Sequence, residues 1–208
     1  MNNTNALTNA LIEALTTAVR CFSIDQVCCH WPYSDRHTMK AAVDMLKDRA
    51  IITIESHLIH PPPESSGPEF VWMPGDEEPD FAGVAYRLRS RWSRQKRMTP
   101  LAFPTRVACE QFGGTRVRPR ASELSHDVHF AEVYLQWVRI RDNVTHWKSG
   151  DLLRLSEPVA QFGSNIPDAV ILNANGQIEK IVEGGGRYAR GKLELLHETY
   201  RGYAYELW

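Results

Sequence analysis

Three stretches of helical periodicity run straight into a strand near the start of this chain. That junction constrains the fold more than any other feature. Leu7, Leu11, Leu15, Ala18 and Phe22 recur at spacings of three and four, which predicts a helix over 6–22 with one apolar stripe. Ser23 is placed to cap a short second helix over 24–30, which ends before Pro32. Ser34 is placed to cap a third over 35–49, with Asp35 in its first turn, where a negative charge suits the helix dipole. Met39, Val43 and Leu46 form its buried face, and Arg36, His37, Lys40, Asp44 and Lys47 lie on the other. Ile51-Ile52-Thr53-Ile54 follows without a linker and reads as a strand. Beyond a Pro/Ser/Gly loop over 61–68, Phe70-Val71-Trp72-Met73 reads as its returning partner. Helices that hand over directly to a hairpin exclude an all-helical bundle and an all-β sandwich, and predict an α+β fold.

Three short helices followed by a two-stranded hairpin is the order of a winged helix, whose third helix enters the DNA major groove. On this reading residues 1–98 form a DNA-binding domain, with Arg36, His37, Lys40 and Lys47 toward double-stranded DNA. The charge pattern agrees. The formal net charge is only −1, but residues 50–86 hold seven acids and no Lys or Arg, whereas 87–120 hold ten basic residues and the single acid Glu110. Such segregation points to a polyanion-binding surface. The wing, 51–73, is acidic and repels phosphate, so helix 35–49 must hold DNA with help from elsewhere. The helper is residues 80–98, read as a helix with Arg87, Arg89, Arg91, Arg94, Lys96 and Arg97 opposite Phe81, Val84, Ala85, Leu88 and Trp92. The acidic wing also fits a different role, a protein-interaction module. Residues 99–120, broken by Pro100, Pro104, Gly113, Gly114 and Pro119, read as a linker.

Residues 121–208 read as a second, α/β domain. Ser122 or Ser125 caps a helix running to about Arg139, apolar over a wide arc, with His129, Glu132 and Gln136 on its narrow polar stripe. Trp147–Leu155 reads as a strand or strand plus turn, and 166–172 as a strand. Asn173-Ala174-Asn175-Gly176 is a hairpin turn, and 177–183 the returning strand. A last helix covers 190–201, and 203–208 an edge strand. Across the hairpin, Asp168 and Glu183 fall near the outer ends of the paired strands. Two carboxylates so placed can hold Mg²⁺, which activates water against a phosphodiester.

Pro167-Asp168 followed by Glu183 across a hairpin resembles the PD-(D/E)XK nuclease pattern, in which a Lys stands two residues beyond the second acid. Here Gly185 stands there, and Lys192 on the following helix is the candidate replacement. The whole chain resembles the replication-relaxation family of plasmids and mobile elements, which pairs a winged helix with a nuclease-like domain. The resembling residues are Leu124-Ser125-His126-Asp127-Val128, Trp147, Pro167-Asp168-Ala169-Val170, Glu183, Lys192-Leu193, His197 and Tyr200. The resemblance implies DNA handling in replication, mobilisation or transcription control. One expected function is a DNA-binding regulator or accessory factor with a non-catalytic nuclease-like domain and no cofactor. The other is a Mg-dependent DNA endonuclease or nickase using Asp168, Glu183 and Lys192. Gly185 favours the first.

His126 and His129 have a spacing that can share a metal, but no third ligand accompanies them, so structural histidines are expected. Gly184-Gly185-Gly186-Arg187 before a helix reads either as a phosphate cradle or as a flexible joint. No GxSxG or Walker loop is present. No apolar run reaches the length of a membrane span, and residues 1–5 lack a signal-peptide pattern, so a cytoplasmic protein with no membrane partner is expected. Cys21, Cys28, Cys29 and Cys109 lack zinc spacing and are expected as reduced core thiols. The stripe on helix 6–22 is a possible homodimer interface.

Overall fold

The computed structural model describes residues 3–31, 34–63, 67–140, 146–155 and 161–208, and they form an α+β protein. In chain order the elements are α1 (Asn3–Glu13), continued by a π-helical turn Ala14–Ala18, then β1 (Phe22–Ser23), α2 (Ile24–His30), α3 (Arg36–Asp48), β2 (Ile52–Ile59), β3 (Phe70–Trp72) and α4 (Phe81–Arg91). They continue as β4 (Arg97–Pro104), α5 (Arg106–Phe112), α6 (Leu124–Ile140), β5 (Trp147–Ser149), α7 (Gly150–Leu153), β6 (Ala169–Leu172), β7 (Ile178–Glu183), α8 (Arg190–Tyr200) and β8 (Ala204–Leu207). The chain divides into two compact units. The first joins residues 1–61 to 96–144, and the second joins 62–95 to 145–208. The chain thus passes between units three times, not once through a linker at 99–120.

In the first unit, α2 begins with a reciprocal cap. The Gln26 amide N–H donates to the Ser23 hydroxyl, and the Ser23 N–H donates to the Gln26 side chain at 2.9 Å. Asp35, not Ser34, caps α3, because its carboxylate accepts from the N–H groups of His37 and Thr38 and from the Thr38 hydroxyl at 2.7 Å. The Thr38 bonds foremost, and then His37, hold the Asp35 carboxyl below its ordinary value. A depressed carboxyl stabilises the fold above its unfolded-state pKa and loses that effect as pH falls through the folded one. Asp35→Ala should therefore lower the thermal midpoint by a few degrees at neutral pH. The gap from wild type should close in acid, and Asp35→Ser should restore most of the loss. Met39, Ala42, Val43 and Leu46 bury the inner face of α3. Ala50, in the left-handed region at φ 54°, ends the helix, with the Ile51 N–H donating to the Leu46 carbonyl, so β2 starts at once.

The first sheet has the order β1-β4-β2 and is antiparallel throughout. The partner of β2 is β4, from Ile52↔Pro104 to Ile59↔Arg97. The expected return strand, Phe70–Met73, is not the partner. β4 spans the end of the expected helix 80–98 and the start of the expected linker 99–120, which Pro100 and Pro104 interrupt, yet β1 pairs only with Ala102 and Leu101. Pro100 therefore faces no ladder on that side and needs no N–H there. Ile59 and Leu101 pack against Leu124 and Val128 of α6. α6 also anchors α2: the Gln26 amide donates to the Val128 carbonyl at 2.8 Å and to the buried Glu132, which also pairs with His30.

The second sheet has the order β3-β8-β7-β6-β5, with β8 parallel to β7 and the other pairs antiparallel. The C-terminal strand is therefore interior, not the expected edge. Tyr205 and Leu207 are buried, and Glu206 is neutralised by Lys180 on β7. Val170, Ile181, Tyr205 and Trp72 pack on Leu196 and Tyr200 of α8, while Phe81, Val84, Ala85 and Leu88 of α4 pack on Leu193 and Leu207. Both helices therefore cover the sheet face toward which Glu183 points.

Candidate functional site

The hairpin that pairs Ala169 with Val182 carries Asp168 and Glu183 at one end. The Asp168 N–H donates to Glu183 Oε2 at 3.3 Å, and the Gly184 N–H donates to Asp168 Oδ2 at 2.9 Å. The two acids thus come together, as the spacing predicts. Glu183 is 6% exposed. It also accepts from the Tyr188 hydroxyl at 3.0 Å and from the Tyr200 hydroxyl at 3.5 Å. Burial, followed by the charges of Glu183 and Asp168, pushes both phenols well above their ordinary pKa. They therefore stay protonated as donors and cannot serve as bases at neutral pH. Neither tyrosine was legible as a site residue. Tyr200 reads from sequence as a core position, and Tyr188 lies in an irregular segment.

The candidate cations have other partners. Lys192 donates to the Asn165 side chain at 3.1 Å. Lys180 projects from the opposite face of β7 to Glu206. Arg187 donates to the Trp92 carbonyl at 2.6 Å, and Arg190 pairs with Glu194. Gly185, at the position of the motif lysine, is enclosed. Its N–H donates to the Trp208 carbonyl, and its own carbonyl accepts from the Trp92 indole at 3.1 Å. A Cβ here would fall well inside van der Waals contact of the Trp208 carbonyl oxygen and Leu88 Cδ2. With the Gly184 and Gly185 N–H groups both engaged, this run is a packed joint, not a phosphate cradle. Mg²⁺ would have to displace the donors that now fill Glu183, and the position of the motif lysine is held by the enclosed Gly185. The residues present do not fit the ion that the nuclease pattern implies.

The second candidate surface is cationic. Arg36, His37, Lys40 and Lys47 are all exposed on α3, with Lys40 paired to Asp44 at 3.0 Å. The expected basic helix over 80–98 does not form as one element. α4 ends at Arg91, and Lys96 and Arg97 belong to the first unit. In the second unit Arg87 and Arg91 converge on Glu69 at 3.3 and 3.5 Å, and Arg91 is largely buried. Burial lowers the Arg91 pKa, and Glu69 opposes the shift. Arg89 bonds the Ala85 carbonyl and, like Arg94, is exposed. The acids from Glu69 to Asp80 lie in the second unit. On β2 the acid is Glu55, held by Arg118 at 2.8 Å. The first unit has 13 basic and 11 acidic residues and the second 11 and 14.

His129 is buried and His126 half-buried, its ring parallel to that of Phe130. Among the described residues no group of three His, Cys, Asp or Glu converges. Cys21 and Cys28 are buried, but Cys29 is exposed and Cys109 half-exposed, so the thiols are not all core. No described helix is long and apolar enough to cross a membrane. Comparison with protein-family models, with curated proteins and with solved structures finds no match to this chain.

Proposed function

We propose that this protein is a DNA-binding regulator or accessory factor of a mobile element, with a winged-helix first unit and a non-catalytic, nuclease-like second unit. The observation that carries this reading is the first sheet. A two-residue strand after the first helix, then two helices, then a long antiparallel pair in the order β1-β4-β2, supports the winged-helix reading, and the cations of α3 are exposed. Of the acids in 51–73, Glu55 stays on the hairpin, where Arg118 offsets its charge at 2.8 Å, and Glu69 belongs to the second unit, where Arg87 and Arg91 meet it. The hairpin, helix and parallel strand of β6, β7, α8 and β8, with Asp168 and Glu183 together, support the nuclease-like reading.

A second reading, a metal-dependent nuclease, is favoured by the meeting of the two carboxylates and opposed by the enclosed Gly185. Two assays separate the readings. Labelled duplex DNA titrated at increasing salt should bind with log Kobs falling linearly against log salt, with a slope of about −2.7 if Arg36, Lys40 and Lys47 of α3 each meet a phosphate. Supercoiled plasmid with Mg²⁺ or Mn²⁺ should stay intact. Absence of duplex binding sinks the regulator reading. Nicking that Asp168→Ala abolishes makes the protein an enzyme.

A further inference from the structure

Among the described residues three of the four sheet-edge strands are short: β1 has two residues, and β3 and β5 have three each. The fourth, β2, has eight and pairs there only with β4. Alternate N–H and C=O groups along its outer side are left for another strand. Proteins blunt such edges with Lys, Pro or a bulge. β2 has no Lys, Pro or Gly, and its register with β4 runs unbroken from Ile52 to Ile59. Its one acid, Glu55, is offset by Arg118. We infer that β2 pairs antiparallel with β2 of a second copy, on a two-fold axis through Ser56, joining two first-unit sheets into one of six strands. This inference stands apart from the DNA-binding reading.

The side-chain pattern selects a second copy as the partner. A two-fold axis perpendicular to the sheet keeps each side chain on its own face, so it must pass through a residue and not between two. An axis through Ile54 pairs only Ile52–Ser56, and one through His57 only Glu55–Ile59. Axes through Glu55 and Ser56 give the longest ladders. The first sets two carboxylates face to face. The second sets each Glu55 opposite the other copy's His57. Glu55 and His57 are half-exposed and lie 3.4 Å apart within one strand, so acid and imidazole alternate around this axis. On the other face, exposed Ser56 meets its own copy without bulk. Leu58, 59% exposed, comes opposite the half-exposed Ile54. Met98, 63% exposed beside Leu58 on β4, extends this into an apolar row that ends at Ala102, the β4 neighbour of Ile54. The row gives Leu58 an apolar contact on its open side. The α1 stripe expected as a homodimer surface offers none, because Leu7, Leu11, Leu15 and Ala18 are buried within the chain.

The test is sedimentation of the full chain across a concentration series, where wild type should show a monomer–dimer equilibrium. Ser56 is exposed, so Ser56→Lys and Ser56→Glu should each keep the wild-type melting temperature. Each variant alone sets like charges against each other on the axis and should weaken the dimer at least roughly tenfold. Mixing the two sets opposite charges there and should restore it. A measurement that needs no variant runs beside this one: wild-type amide exchange over Thr53–Ile59 should slow as the protein concentration rises. Wild type that stays monomeric at every concentration overturns the inference. A dimer that neither variant weakens places the interface elsewhere and overturns it too, as does a loss that mixing fails to repair. Exchange along β2 that ignores concentration has the same consequence.

Discussion

Gly185→Ala is expected to destabilise the second unit by roughly 3 kcal/mol, and Gly185→Lys by more, read as falls in the urea midpoint. The reason is backbone against backbone. The added Cβ meets the Trp208 carbonyl oxygen, which cannot rotate away as a side chain does, and Leu88 Cδ2 behind it. Relief requires β7 and β8 to part where the Gly185 N–H bonds Trp208 and the Trp208 N–H donates to the Glu183 carbonyl at 2.9 Å. The Trp92 indole bond to the Gly185 carbonyl would go too. Installing the motif lysine should therefore damage the fold and yield no nuclease. Gly185→Lys with wild-type stability and plasmid nicking would refute both the packing account and the scaffold reading.

Reversing Arg36, Lys40 and Lys47 to Glu should weaken duplex binding at least 100-fold at low salt and flatten the salt slope by about 2 to 3, since each lost phosphate contact removes nearly one released counterion. All three side chains are exposed on the outer face of α3, so the fold should be retained, with a melting temperature near that of wild type. The contrast is Arg87→Glu/Arg91→Glu. Both side chains meet Glu69, and Arg91 is largely buried, so that variant should lose stability first. Wild-type affinity in the α3 triple variant would remove this helix from the interface. Loss of affinity in the Arg87/Arg91 variant without loss of stability would return α4 to it.

Much of the local structure was legible. Helices α1 to α3, the strand start at residue 52, the Asn-Gly turn and α8 follow from periodicity and capping residues within a few positions of each other. The turn is built by Asn173, whose carboxamide oxygen accepts from the Asn175 and Gln177 N–H groups, and by Gly176 at φ 74°. The meeting of Asp168 and Glu183 was legible for the same reason. A tight hairpin sets the register, and register sets which residues share a strand end.

What the sequence determined by itself is therefore the local order: which segments are helix or strand, the cations on α3, and the carboxylate pair across a hairpin. Only the tertiary structure decided pairing over long separations. Phe70–Trp72 is a strand in either reading, but nothing within the segment tells whether it pairs with β2 or, as it does, with β8. Pro100 and Pro104, which have no N–H to donate, signal a break until the shortness of β1 leaves no strand there that needs a donor from them. A cation run says nothing of its partners, so the capture of Arg87 and Arg91 by Glu69 was invisible. Gly185 likewise reads as a flexible joint. Only the Trp208 carbonyl, 23 residues on, makes it a position where no side chain fits. In each case the deciding contact is between residues far apart in the chain, and local propensity carries no information about it.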